Sequence, residues 1–94
     1  MTTTRYTWDR AKRLRNLSKH GIDFADAARV FEGPTVTAED KRASYGERRF
    51  QTLGILEQFI VTIVHTERDG TTRIISMRKA TRHETRAFFA QITD

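Results

Sequence analysis

The 94-residue chain has room for one domain around one modest core. Its 31% charged and 37% apolar residues are an ordinary globular balance, and no apolar run approaches the roughly 20 residues of a membrane span. With no cysteine, disulfides, zinc–thiolate sites and thiol nucleophiles are excluded, and the net charge of +5 points to an acidic or polyanionic partner, nucleic acid first.

The start, Met1 to Arg5, is polar and threonine-rich, without an apolar segment that would serve as a secretory signal, so the cytoplasm is the expected compartment. Arg5 to Trp8 reads as a short first strand. Asp9 is placed to cap a helix, because its carboxylate can accept from an orphan backbone N–H. Ala11, Leu14 and Leu17 follow at helical spacing, and Gly21 is a natural stop, which gives a first helix over Arg10–Lys19. Asp23 starts a second helix whose apolar face is Phe24, Ala27, Ala28 and Phe31, and Gly33-Pro34 ends it.

Thr35 to Ser44 reads as a polar loop with a short strand at Thr35–Thr37. Three strand-like runs follow, Glu47–Leu56, Phe59–Thr66 and Thr72–Arg78. Asp69-Gly70 is a strong hairpin turn between the last two, and Leu56-Glu57-Gln58 a weaker one between the first two. Thr81 and Glu84 form a capping box ahead of a last helix with the stripe Thr85, Phe88, Phe89 and Ile92. The order β-α-α-β-β-β-α gives an α+β domain spanning residues 1–94, with an antiparallel sheet of three to four strands, two N-terminal helices and one C-terminal helix.

Four groups of residues carry possible chemistry. The first helix has Arg10, Lys12, Arg13, Arg15 and Lys19, opposed locally only by Asp9; they suit phosphates or equally an acidic protein surface. Lys19-His20-Gly21 puts a histidine, which titrates near neutrality, at a helix end. In isolation it reads first as a helix-end histidine that caps carbonyls and packs against the next helix. Gly46-Glu47-Arg48-Arg49 sets a carboxylate beside two guanidiniums, either a base with phosphate anchors or a salt-bridge cluster. The last group is Arg73, Arg78, Lys79 and Arg82, with Arg82 and His83 in the first turn of the last helix. Strict alternation puts Ser76 and Arg78 on one face beside Ile74, and Arg73 on the other with Ile75 and Met77. His65 reads as a semi-buried structural residue. His20, His65 and His83 match no metal-ligand spacing, so no metal and no cofactor are expected. Because RNA carries its own nucleophile, the 2′-hydroxyl, a base, an acid and cations around phosphorus are sufficient for cleavage.

Three blocks in order resemble one family. They are Trp8-Asp9, Lys12, Asn16, Lys19-His20-Gly21, Phe24, Ala27 and Val30-Phe31; then Gly46-Glu47-Arg48-Arg49 and Gly54; then Arg73, Ile75-Ser76, Arg78, Ala80 and Glu84. Together they resemble the BrnT family of toxins. The resemblance implies a RelE-like fold and an endoribonuclease that blocks translation. It implies neutralisation by a BrnA-like antitoxin encoded beside it, in a heterotetramer that touches operator DNA only through the antitoxin. Under this reading Arg78 and Arg49 hold the phosphate, His20 or Glu47 is the base, and Lys12, Lys19, Arg73 and Arg82 are auxiliary RNA-binding cations. Two positions depart from the pattern: Met77 stands where a small residue is usual, and Phe88 where tyrosine is frequent, which removes a hydroxyl. The competing reading is a basic binding module without catalysis, which holds an acidic antitoxin or nucleic acid. DNA reading by the helical hairpin is disfavoured, since its second helix bears only Arg29 as a basic residue.

Overall fold

A computed structural model describes residues 4–42 and 46–93. Met1 to Thr3, and Ala43 and Ser44 at the end of the expected loop, lie outside the described residues. The elements are β1 (Arg5–Trp8), α1 (Arg10–His20), a 3-10 turn (Phe24–Asp26), α2 (Ala27–Glu32), β2 (Thr35–Asp40), β3 (Arg49–Leu56), β4 (Phe59–Arg68), β5 (Thr71–Lys79) and α3 (Arg82–Ile92).

Local chemistry sets the helix ends. Asp9 accepts from the Lys12 N–H at 2.9 Å, and Gly21 closes α1 in the left-handed region at φ 70°, its N–H on the Leu17 carbonyl. Asp23 caps the 3-10 turn rather than a longer helix, accepting from the Ala25 N–H, and α2 follows as a short helix. The capping box of α3 is complete in both directions. Asp69 and Gly70 both take positive φ, 50° and 78°, as the tight turn between β4 and β5 requires.

The sheet has five strands, in the order β1-β5-β4-β3-β2, and it is mixed. This corrects the expectation of three to four antiparallel strands. β1 lies parallel to β5, and β2 is a full strand paired along β3 from Thr35–Gly54 to Asp40–Arg49. Both corrections are non-local: Ala38, Glu39 and Asp40, beyond the expected strand at Thr35–Thr37, have weak strand propensity, and the β3 edge supplies their pairing. β4 and β5 also run a residue or two beyond the expected runs, and β3 begins at Arg49 rather than Glu47.

One irregularity in β5 corrects the face assignment. Val64 pairs with Ser76 but His65 pairs with Ile74, so Ile75 is an extra residue in the ladder. The bulge resets the alternation. Ile74 and Met77 are therefore both buried in the same core, at 1% and 0% exposure, and Arg73 moves to the face that carries Ser76 and Arg78.

α1, the 3-10 turn and α2 cover one sheet face, where Ile22, Phe24, Ala27 and Val30 meet Leu56, Val61, Ile63, Ile74 and Met77. The approach is closest at Gly54, where an added Cβ would lie 2.4 Å from Val30 Cγ1. α3 packs on the opposite face over β3 and β2, with Phe88 fully buried.

α1 is anchored by one side chain. β1 ends opposite Ile74, which leaves the β5 edge from Ile75 onward without a strand partner. The Asn16 amide takes that place: Nδ2 donates to the Met77 carbonyl at 2.8 Å, and the Met77 N–H donates to Oδ1 at 3.1 Å. Nδ2 also donates to the Ile22 carbonyl, which holds the turn after α1. Asn16→Ala removes all of these bonds at a buried position and should lower stability by about 3 kcal/mol. Thermal unfolding checks this; a melting temperature unchanged within error would rule it out.

Candidate functional site

The face of the sheet that α3 only partly covers collects the cations. Phe50 stacks on buried His65 on the core side, so its neighbour Arg49 points to the α3 side. Arg49 falls one step beyond the Phe50–His65 pair, level with Thr66; Thr66 pairs with Arg73, and Arg73 with Thr7. Arg49 and Arg73 thus flank one strand, with backbones about 10 Å apart. Glu47 lies beside both. Its carboxylate is 3.6 Å from Arg49 Nε, and it lines a cavity of about 370 Å³ together with Arg73, Thr66 and Thr7.

Arg78 is on the same face and is held firmly. Its guanidinium donates through both terminal nitrogens to Glu84, at 2.7 and 2.9 Å, and Nη1 also meets the Lys79 carbonyl. Thr62, the cross-strand partner of Arg78, donates to the same carboxylate at 3.0 Å, and the Thr81 N–H does so at 2.9 Å. These contacts take three of the five guanidinium N–H groups, which leaves two for another oxygen. The fork to Arg78 is the main cause that holds the Glu84 carboxyl at about 2, and the same contact raises the Arg78 guanidinium.

Arg42 forms a second fork with buried Asp40, at 2.9 Å on both oxygens, and depresses that carboxyl to about 2. The Arg42 charge opposes that of Arg78. Neither Arg42 nor Asp40 was singled out from the sequence, where Asp40-Lys41-Arg42 reads as loop. Glu84 was legible as a cap and as a motif residue, and the same spacing also makes it the anchor of Arg78.

Lys12, Lys19 and His20 do come together, with Arg15 and Ser76, in a groove of about 400 Å³ along the β5 edge. His20 also borders Lys79, Leu56 and Phe59 at the far end of β5. Arg73 and Lys79 are six residues apart along β5, or about 20 Å of strand. His20 and Glu47 therefore stand near opposite ends of the sheet and do not converge on one phosphate. Arg82 is exposed in the first turn of α3 and lines neither cavity. Phe88 fills the packing beneath α3 and is fully buried. Among the described residues, no three His, Asp or Glu side chains gather as a metal would require. No helix is long and apolar enough to cross a membrane.

The fold and its cations define a small basic α+β protein with guanidiniums gathered on one sheet face. Residues 8–84 match the family described as the ribonuclease toxin, BrnT, of type II toxin–antitoxin systems, and the chain belongs to that family. No curated protein sequence matches it.

The Arg78–Glu84 pair has a pH signature. A carboxyl held at about 2 in the fold, against an ordinary 4.5, stabilises the protein fully above 4.5, and that contribution disappears as pH falls toward 2. Glu84→Gln should flatten the acid limb of the stability curve in that window. Chemical denaturation at stepped pH measures it; an acid limb as steep as the wild type's would contradict the assignment.

Proposed function

We propose that this chain is a metal-independent endoribonuclease that cuts mRNA and so inhibits translation, acting as a single RelE-like domain in the cytoplasm and neutralised by a BrnA-like antitoxin. A heterotetramer with that antitoxin, bound to operator DNA through the antitoxin alone, completes the reading. The observation that carries it is the sharing of one sheet face by Arg49, Arg73 and Arg78, with Glu47 beside the first two.

Glu47 and Glu84 offset part of the charge of Arg49 and Arg78, and the exposed Arg73 leaves a surplus that a phosphodiester can meet. Arg49 and Arg73 neutralise the equatorial oxygens as charge builds in the transition state. Glu47 takes the proton of the 2′-hydroxyl. The 2′-oxygen bonds to phosphorus, the bond to the 5′-oxygen breaks, and the leaving oxygen gains a proton from water or a neighbouring cation. A 2′,3′-cyclic phosphate and a 5′-hydroxyl result. Arg78 holds a neighbouring phosphate through its two remaining N–H groups. The α1 groove, with Lys12, Lys19 and His20, guides the strand along the β5 edge. This assigns the base to Glu47 and a binding role to His20.

A second reading, a basic module that binds without cutting, draws on one observation: the forks of Arg42 and Arg78 already hold carboxylates. Inducible expression separates the two. Arg73→Ala and Glu47→Gln should each fold and relieve growth arrest, with RNA cleavage reduced on the order of 100-fold, while His20→Gln retains substantial cleavage. Full toxicity in folded Arg73→Ala would sink the proposed site. Arrest without any RNA cleavage would favour the binding module.

A further inference from the structure

On the core side of the sheet, beyond the end of α2, lies a cavity of about 420 Å³ that the proposed ribonuclease site does not use. Its walls include Tyr6, Phe31, Phe50, His65, Glu67 and Thr72. The rings are ordered by one another. Tyr6 stacks on Phe31 at 5.6 Å, and His65 meets Phe31 edge-on at 5.2 Å and Phe50 at 6.0 Å. His65 is 3% exposed and joined on both nitrogens, to Thr52 at 2.7 Å and to Glu67 at 2.6 Å. Thr72 donates to the second Glu67 oxygen at 2.8 Å. The Glu67 carboxylate is thus fixed in place while 44% of its side chain stays exposed.

The charge of this cavity runs against that of the whole molecule. In a chain of net charge +5, the described lining contains Glu67 and neither lysine nor arginine. Glu32 adds a second negative charge nearby: the Tyr6 phenol is raised first by burial, then by Glu67 and Glu32. Arg48 lies 5.3 Å over the Phe50 ring and is paired with Glu39. Rings with a fixed carboxylate form a box for a cation, since the ring faces and the carboxylate attract the same charge. Nucleic acid has bases to stack but brings phosphates, which two carboxylates repel.

We infer that this aromatic, acidic cavity is a docking pocket for an arginine or lysine side chain of the protein partner that neutralises the toxin. Naming the antitoxin as the source rests on the toxin–antitoxin reading above; the preference of the cavity for a cation does not. The partner thereby gains a hold on the sheet face opposite Arg49, Arg73 and Arg78, so docking and RNA cleavage are separable by mutation.

N-acetyl-arginine amide and, separately, a short oligouridylate are titrated into the full chain while the ring signals of Tyr6, Phe31 and Phe50 are followed by NMR. The arginine compound should shift them saturably and the oligouridylate should not. Glu67→Gln keeps hydrogen-bonding capacity toward Thr72 and His65, and Glu32→Gln lies on the surface. Each should weaken the arginine titration about five- to tenfold. The double variant should bind the purified product of the adjacent gene at least tenfold more weakly, with RNA cleavage unchanged. Oligouridylate moving these rings while the arginine compound leaves them still would overturn the inference in favour of RNA. Unchanged partner affinity in the double variant would overturn the docking role. If the wild type binds no such partner, docking falls with the toxin–antitoxin reading, and the arginine titration still decides the cavity.

Discussion

The position of α1 depends on one amide. Where β1 stops, the β5 edge would show water a backbone carbonyl and N–H, and Asn16 meets both with the two ends of its side chain. No other neutral side chain apart from glutamine offers a donor and an acceptor in that planar pairing, and glutamine is one carbon longer. The same residue ties down the Ile22 carbonyl, while Arg13 and Asp23 lock the following turn with a fork at 2.7 and 2.9 Å. The rows of Lys12, Arg15 and Lys19 are thereby fixed beside Ser76. An asparagine inside a basic helix thus sets where the cations lie relative to the sheet.

The second constraint is electrostatic. Arg42, Arg49 and Arg78 crowd one face, and buried or half-buried carboxylates moderate their repulsion. Asp40 and Glu84 are both held at about 2, so they stay ionised throughout the physiological range. Each fork fixes an orientation as well as a charge. The opposite face is arranged differently. There Thr37, Thr52, His65, Glu67 and Thr72 form a hydrogen-bonded chain among aromatic rings, and burial lowers the His65 pKa against the pull of Glu67. The cavity around Glu67 thus carries the charge opposite to that of the arginine cluster on the other face.

What could be read from the sequence was local. Asp9, Gly21, the Thr81–Glu84 box and Asp69-Gly70 act within four residues of themselves, and the structure has them as the caps and turn they resemble. The non-local features were not legible. Nothing in Arg5–Trp8 says that it pairs parallel to β5, and nothing in Ala38–Asp40 says that β3 will extend the short strand before it. The bulge at Ile75 was the most consequential miss, because period-two counting through it puts Arg73 on the wrong face. The Glu47–Arg49 grouping was legible from the sequence, but strand register alone brings Arg73 level with Arg49, and His20 falls apart from them with the α1 groove. Arg42 was missed because its fork partner, Asp40, is buried only through tertiary packing.

The most direct measurement uses purified protein, a defined RNA oligonucleotide and excess EDTA, with the cut position mapped and then remade with a single 2′-deoxynucleotide on its 5′ side. Cleavage in EDTA that leaves a 2′,3′-cyclic phosphate, and disappears at the 2′-deoxy position, is the expected result. Cleavage that needs an added divalent ion, or that persists at the 2′-deoxy nucleotide, would contradict a site built from Arg49, Arg73, Arg78 and Glu47.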